Sequence, residues 1–238
     1  MHFLNLGLEV KFDMDLSKSY EFLQPDKVRD RIHIIGCGAI GSTVGELLAK
    51  AGFTKITLWD FDHVESHNIA NQMYTELDIG KAKVDALAER MSAINPELKQ
   101  TGNLKLEKNG WDGQRLTGFV FLCVDNIDLR RRIATENKDN MMIRGMFDFR
   151  MRLTDAQHYA ADWKERKMVE AFLNSMNFTQ EEGKAETPVS ACNIELSFAS
   201  TVFTIVAAGV SNFVNFVKGL GLKKMIIADA FSFDLLAM

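Results

Sequence analysis

Apolar positions along the chain alternate between short runs rich in β-branched residues and longer stretches with helical periodicity. Residues 31–35 and residues 55–59 are two such runs, and both are typical of strands. Between them, apolar residues over positions 44–51 recur at helical spacing, and Gly52 follows where a helix would end. This order predicts a βαβ unit, whose right-handed crossover brings the carboxyl ends of both strands to one edge of a parallel sheet.

Later segments extend the same alternation. The unbroken apolar run over residues 118–124 is typical of a central strand in a parallel sheet, which is covered on both faces. The fold class that follows is α/β, as a doubly wound, Rossmann-like domain with a mostly parallel sheet. Further predicted elements are a helix that Asp78 caps and that ends at Asn95 before Pro96, a strand near residues 141–147, a charged helix over residues 162–176, and a strand pair or bent strand over residues 224–234.

The chain contains no internal repeat and no low-complexity linker, so residues 1–238 are interpreted as a single domain. Within it, residues 1–25 form an N-terminal extension without an assigned role. Residues 179–193 are largely polar and contain Pro188, which predicts an exposed, crossover-like loop.

One segment bears on the class of protein, because residues 196–217 carry no charge over a length that would cross a bilayer. Ser, Thr and Asn side chains within the segment lower the gain from transfer into hydrocarbon. We therefore interpret it as a helix in the core or at a subunit interface, with a membrane span as the alternative. Burial of its apolar surface against a second copy would favour a homodimer.

Composition agrees with a globular protein, since 47% of the residues are hydrophobic and 25% are charged. The net charge of −4 disfavours a general nucleic-acid-binding role. Three widely spaced cysteines cannot form a disulfide framework or a CxxC zinc site, and acidic residues interrupt the N-terminal apolar stretch where a signal peptide would continue. We expect a cytoplasmic protein without nucleic acid, membrane or cysteine-bound zinc.

Candidate chemistry begins directly after the first predicted strand, where Gly36, Gly38 and Gly41 form a GxGxxG motif that includes Ala39. Such a turn lets the backbone approach a phosphate and directs helix N–H groups at it. Asp60 ends the second strand, where an acidic side chain accepts hydrogen bonds from ribose hydroxyls. Because NAD and ATP both contain ribose, both remain open, and a glycine turn used only for packing is the alternative.

Four segments resemble the ThiF/MoeB adenylyltransferases, the prokaryotic relatives of ubiquitin-activating enzymes. They match this family's motifs GxGxxGS, DxDxVxxxNxxRQ, GxxK and DN in the same order, and the resemblance covers roughly residues 31–132. The matching segments are residues 36–42, 60–72, 80–83 and 125–126.

The resemblance implies ATP-dependent adenylation of a carboxylate, which yields an acyl-adenylate and pyrophosphate. The implied substrate is the C-terminal glycine of a ubiquitin-like or sulfur-carrier protein, or a peptide, and the relatives are homodimers. On this pattern Asp60 would hold the ribose, Lys83 would neutralise phosphate charge, and Asp125 would hold Mg²⁺. The implied ATP-binding positions are Gly36, Gly38, Ala39, Gly41, Asp60, Asp62, Asn68, Asn71, Gln72 and Lys83.

Departures from the family pattern define the alternatives. Asn71 stands where the family has an arginine on the triphosphate, and Lys81 would replace the missing charge in part. The loss of this arginine keeps a catalytically degenerate nucleotide-binding scaffold open, and an NAD-dependent oxidoreductase is a further alternative.

The cysteines are interpreted one by one. Cys192 lies where some relatives carry a thiol that accepts the activated carboxylate, and its alternative is an incidental or buried thiol. Cys37 and Cys123 are predicted to be packing residues.

Two remaining motifs have structural alternatives. His63 and His67 lack the helical pattern that would direct both imidazoles to one metal ion. Arg130, which follows the DN motif, is interpreted as structural or as orienting the acidic loop, and the basic run over residues 130–132 as a helix face or phosphate contact.

Overall fold

All strands of the described chain belong to one sheet. The computed structural model describes residues 14–185, residue 189 and residues 196–238. The strands are β1 Ile32–Ile35, β2 Ile56–Trp59, β3 Lys105–Glu107, β4 Gly118–Leu122, β5 Ile143–Met151, β6 Asp155–Asp162, β7 Met225–Asp229 and β8 Asp234–Ala237.

The sheet has the order β3-β2-β1-β4-β5-β6-β7-β8. Neighbouring strands from β3 to β5 are parallel, whereas β6, β7 and β8 add in antiparallel fashion. The predicted α/β fold with a doubly wound, mostly parallel sheet is confirmed. Connections leave β1 in opposite directions along the sheet, and the crevice at such a switch point is where ligands bind in this architecture.

Helices cover both faces of the sheet. One core lies beneath α1, α2 and α7 and contains Leu48, Leu87 and Phe213, and a second lies beneath α4 and α5 and contains Ile133 and Phe172. Burial on both faces explains why β4 is an unbroken apolar run and why every residue of β1, His33 included, is buried. The helices are α1 Ala39–Lys50, α2 Lys83–Ile94, α3 Glu97–Gln100, α4 Ile127–Glu136, α5 Arg166–Asn174, α6 Gln180–Ala185 and α7 Ala199–Val217.

The uncharged segment forms α7, which is long and apolar enough to cross a membrane by length and composition, although half of it is buried within the molecule. It packs on α1 and on β5, β6 and β7. The interpretation as a core helix is therefore confirmed. The buried apolar side chains of α7 face this chain's own core, whereas Phe203 stays exposed, and the homodimer stays a prediction.

The predicted helix start at Asp78 is wrong, since α2 begins at Lys83. Asp78 instead ends a short 3-10 turn and accepts hydrogen bonds from the Thr75 N–H and hydroxyl at 2.9 Å. Residues 79 and 80 form a turn, and Lys81 and Lys83 then exchange backbone hydrogen bonds with the loop that follows β2. This pairing leaves Lys83 at the start of the helix and close to that loop.

Two other boundaries differ from prediction. The charged helix expected from residue 162 begins only at Arg166, the first residue of α5, because Asp162 ends the strand β6 and a turn follows it. The predicted exposed loop contains the helix α6 in its first half, and most of residues 186–195 lie outside the described residues. The tail forms the predicted strand pair, as β7 and β8.

Candidate nucleotide-binding site

The glycine motif forms the turn between β1 and α1. Gly36 has a φ of +92°, and a Cβ added there would lie 2.8 Å from the Cys123 carbonyl group. A Cβ on Gly41 would lie 1.8 Å from the Gly36 carbonyl oxygen. Both glycines are therefore required by the close packing of the turn on β1 and β4.

Gly38 differs from the other two glycines, because an added Cβ would have no atom of the described residues within 4 Å apart from its chain neighbours and its own helix. It is the N-cap of α1, and Ala39 is the first residue of that helix. The first N–H groups of a helix lack intrahelical partners and favour an anion. The space beside Gly38 is thus open to a ligand that would contact the loop backbone.

Asp60 joins the end of β2 to this turn. Its carboxylate accepts hydrogen bonds from the Cys37 N–H at 2.6 Å and from the Asp62 N–H at 2.8 Å. Burial raises the pKa of Asp60, whereas both backbone hydrogen bonds act in the opposite direction. Asp60 therefore holds the glycine turn in place and remains half-buried at the carboxyl edge of the sheet.

Lys83 lies in the same cluster, with its amine 2.9 Å from the Asp62 carboxylate. Lys83 is buried, whereas half of the Asp62 side chain is exposed. The buried Tyr74 hydroxyl donates to the Cys37 carbonyl at 2.6 Å and lies 3.3 Å from the Lys83 carbonyl. Sequence reasoning missed Tyr74, because one tyrosine outside a motif carries no signal of this role.

The polar residues after Asp62 have different environments. The Asn68 side-chain oxygen accepts a hydrogen bond from the Glu65 N–H at 2.9 Å and so completes a capping box with Glu65, the N-cap of the 3-10 helix Ser66–Ala70. The Asn71 amide donates to the Ser197 hydroxyl, just before α7. The Gln72 side-chain oxygen is buried and has no hydrogen-bond partner among the described residues.

Asp125 lies exposed in the turn that follows β4. Because Gly36 packs on the Cys123 and Val124 backbone, the turn is adjacent to the glycine loop. Arg130 is buried and donates to the Val124 carbonyl at 2.7 Å and to the Asp148 carboxylate at 2.7 Å. Arg130 therefore has a structural role: it holds the turn that carries Asp125.

The cysteines and histidines have separate environments. Cys37 and Cys123 are buried, which raises the pKa of both thiols and agrees with their predicted packing role. Cys192 lies outside the described residues. His63 and His67 are exposed, and the ranges that the structure covers contain no group of three His, Cys, Asp or Glu side chains suited to a metal ion.

Lys81, which the sequence offers as a partial replacement for the missing arginine charge, forms two ion pairs in this structure. Its amine lies 3.1 Å from the Asp78 carboxylate and 2.6 Å from that of Glu89. These two ion pairs hold the Lys81 amine against the turn before α2 and against α2 itself.

The residues fit ATP in three respects. Backbone at Gly38 is open, the Gln72 oxygen is buried without a partner among the described residues, and Lys83 offers a positive charge beside Asp60. Asp125 is a hard oxygen ligand, and Mg²⁺ is commonly held by one or two carboxylates together with substrate phosphates.

The glycine turn, the acidic end of β2 and the switch point together define a Rossmann-like fold, the class in which nucleotides bind at this edge of the sheet. The model of the ThiF family matches residues 21–237, and the chain belongs to this family.

A curated relative is the ubiquitin-like modifier-activating enzyme 5 of Drosophila virilis, which is 30% identical over 144 residues. The match covers 54% of this chain and 35% of the relative, so the chain spans about a third of the curated relatives it matches.

Solved structures of E. coli MccB share the fold. The chain matches MccB with ATP at a TM-score of 0.64 and MccB with MccA at 0.66, in both cases with 16% identity. Each match covers 90% of this chain and 65% of the MccB chain.

Proposed function

We propose that this protein catalyses the ATP-dependent adenylation of a carboxylate. Membership of the ThiF family supports an adenylyltransferase, and MccB, which has the same fold, has been solved with ATP. The observation that carries the proposal is the conjunction of the open backbone at Gly38 with Asp60, Lys83 and the Asp125 turn at one edge of the sheet.

The reaction joins a carboxylate oxygen to the α-phosphorus of ATP. The bond between the α-phosphorus and the oxygen that bridges it to the β-phosphorus breaks, and pyrophosphate leaves with the electron pair of this bond. Lys83 and the first N–H groups of α1 would neutralise the charge that develops on the phosphate oxygens. Asp60 would accept hydrogen bonds from the ribose, and Asp125 would hold Mg²⁺ against the phosphates.

The proposed substrate is the C-terminal glycine of a ubiquitin-like or sulfur-carrier protein, or a peptide C-terminus. The name of the Drosophila relative and the MccA in an MccB structure support a polypeptide partner. Cys192 is proposed as an acceptor for the activated carboxylate. We further propose a cytoplasmic homodimer.

The degenerate scaffold remains a second candidate because of Asn71. Its amide is engaged with Ser197, and it lacks the positive charge of the family arginine. A scaffold would bind ATP and leave its phosphates intact.

Exchange of labelled pyrophosphate into ATP tests the proposal, with Mg²⁺ and a panel of carrier proteins ending in Gly-Gly. We expect exchange in the wild type and a loss of about two orders of magnitude in Asp125→Ala, since a metal ligand acts in the transition state. Asp128→Ala is the matched control, because Asp128 is an exposed aspartate on α4 that pairs with Arg131.

Cys192→Ala separates adenylation from transfer. Exchange that survives this substitution means that the thiol is dispensable for adenylation. ATP binding by calorimetry without exchange for any carrier or peptide would favour the scaffold, and binding of NAD in preference to ATP would favour the oxidoreductase.

A further inference from the structure

Asp148 is a buried anion that the proposed reaction does not use. It lies near the carboxyl end of β5, opposite Leu122 of β4, and its side chain has no exposed surface. One carboxylate oxygen accepts a hydrogen bond from Arg130 at 2.7 Å, and the other accepts one from Arg150 at 2.6 Å. A carboxylate buried between two guanidinium groups fixes the direction of both.

Arg130 extends from this carboxylate to the turn that carries Asp125. Its guanidinium donates to the Val124 carbonyl, which immediately precedes Asp125, and to the Phe149 carbonyl at 2.6 Å. The backbone on the amino side of Asp125 is therefore held by a side chain that Asp148 orients.

Arg150 extends in the other direction, toward the segment that leads to α6. It donates to the Ser175 carbonyl at 2.6 Å and to the Ser175 hydroxyl at 2.9 Å. Its guanidinium carbon lies 4.3 Å from the centre of the Tyr159 ring and 5.4 Å from that of Phe178, both within cation–π range.

A direct contact also joins α6 to the residues that follow the Asp125 turn. The Gln180 side-chain oxygen, on α6, accepts a hydrogen bond from the Ile127 N–H at 2.8 Å. Arg131 also donates to the Met176 and Phe178 carbonyls. The Asp125 turn and residues 175–185 are thus joined both through Asp148 and through Gln180.

We infer that Asp148 is a positioning residue that makes the Asp125 turn and residues 175–185 move as one unit. Removal of its charge leaves two guanidinium groups without their common anion, so both lose their fixed direction. The consequence for nucleotide binding rests on the proposed function, because Asp125 affects ATP only if it holds Mg²⁺.

Hydrogen–deuterium exchange of the apoprotein tests the coupling without any need for activity. For Asp148→Asn we expect about tenfold faster exchange in residues 124–129 and in residues 175–185 together, as for the loss of charged hydrogen bonds. Exchange in residues 36–42 should not change. The matched control is Asp155→Asn, which removes the charge of an aspartate paired with Arg152 at the start of β6.

Gln180→Ala is a second variant, because it removes the hydrogen bond to the Ile127 N–H and leaves Asp148 paired with both arginines. We expect faster exchange at the Ile127 amide and in α6. If Asp148→Asn does not fold, Arg150→Gln decides the proposal, because it removes the connection from Asp148 to Ser175 and is expected to speed exchange in the same two segments. Faster exchange in only one of the two segments, or in neither, would overturn the coupling.

ATP titration by calorimetry, once with Mg²⁺ and once with EDTA, tests the link to the site. In Asp148→Asn we expect about tenfold weaker binding with Mg²⁺ and an unchanged affinity in EDTA, since supporting groups behind a metal ligand act through the metal. Equal losses in both conditions would show that Asp148 acts on the fold alone. A wild-type protein that binds no ATP would overturn the proposed function, and hydrogen exchange would still decide the coupling.

Discussion

The three glycines of the loop between β1 and α1 serve two different requirements. Gly36 and Gly41 are necessary for the protein itself, because a side chain at either would collide with the backbone of β4 or of the turn. Gly38 meets no such obstacle among the described residues, so we predict that its small size serves a ligand that approaches the backbone. Stability and binding can therefore be separated within one motif.

Gly38→Ala should leave the free energy of unfolding within about 1 kcal/mol of the wild type, because the added methyl group enters open space. The same methyl group should weaken ATP binding at least about tenfold, or about 1.4 kcal/mol. Denaturant unfolding and calorimetric titration measure the two effects.

Gly41→Ala is the matched variant for that pair of measurements. Its Cβ would lie 1.8 Å from a backbone oxygen, so we expect a loss of about 3 kcal/mol of stability, as for overpacked sites.

Unaltered ATP affinity in Gly38→Ala would exclude close contact between the loop and a nucleotide.

At the scale of elements, a polar cluster in an apolar interface sets the position of α7 on the sheet. The buried His158 of β6 lies 3.1 Å from the Asp148 carbonyl and 3.3 Å from the Asn212 amide. Asn212 in turn exchanges two hydrogen bonds with the Lys223 backbone. A neutral histidine protonated at Nδ1 satisfies both of its partners, and a charged one does not.

This cluster predicts a pH dependence of stability. Burial lowers the pKa of His158 from 6.5 to about 4. Between these values the unfolded chain binds more protons, so the free energy of unfolding is highest above pH 6.5 and falls as the pH drops toward 4. The loss is at most about 3 kcal/mol for this histidine.

Unfolding by denaturant at several pH values measures this effect. His158→Gln should show a weaker dependence on pH between 4 and 6.5, whereas exposed His67→Gln should match the wild type. His33 is also buried, with its pKa lowered to about 4, and accounts for part of the remaining dependence. An identical pH profile in His158→Gln and the wild type would contradict the prediction.

At the scale of the whole molecule, one sheet runs through both the proposed nucleotide-binding part and the C-terminal strands. The cores on its two faces share the central strands β1 and β4, so neither core can lose its structure alone. The interpretation of the chain as one domain, which stays a prediction, therefore has a thermodynamic consequence.

The prediction is one cooperative unfolding transition, with equal calorimetric and van't Hoff enthalpies. ATP with Mg²⁺ at about 100 times its dissociation constant should stabilise the whole transition by about 2.7 kcal/mol. Two separate transitions, of which ATP shifts only one, would instead divide the chain into two domains.

Local patterns determined much of the fold and part of the site. The runs over β1, β2 and β4, the glycine turn and the position of Asp60 follow from residues close in sequence, because periodicity and turn geometry are local properties. Topology rules then bring the carboxyl ends of parallel strands to one edge without further information.

Only the tertiary structure decided which side chains meet across long separations. The start of α2 at Lys83 depends on pairing with the loop after β2, and the links from Tyr74 to the glycine turn and from Asp148 to the Asp125 turn join different elements. β6 was missed because its buried positions are alanines and His158, and the burial of His158 depends on hydrogen bonds that periodicity does not report. A sequence specifies its local preferences directly, whereas buried polar contacts exist only once packing has removed water and left each group to find a partner.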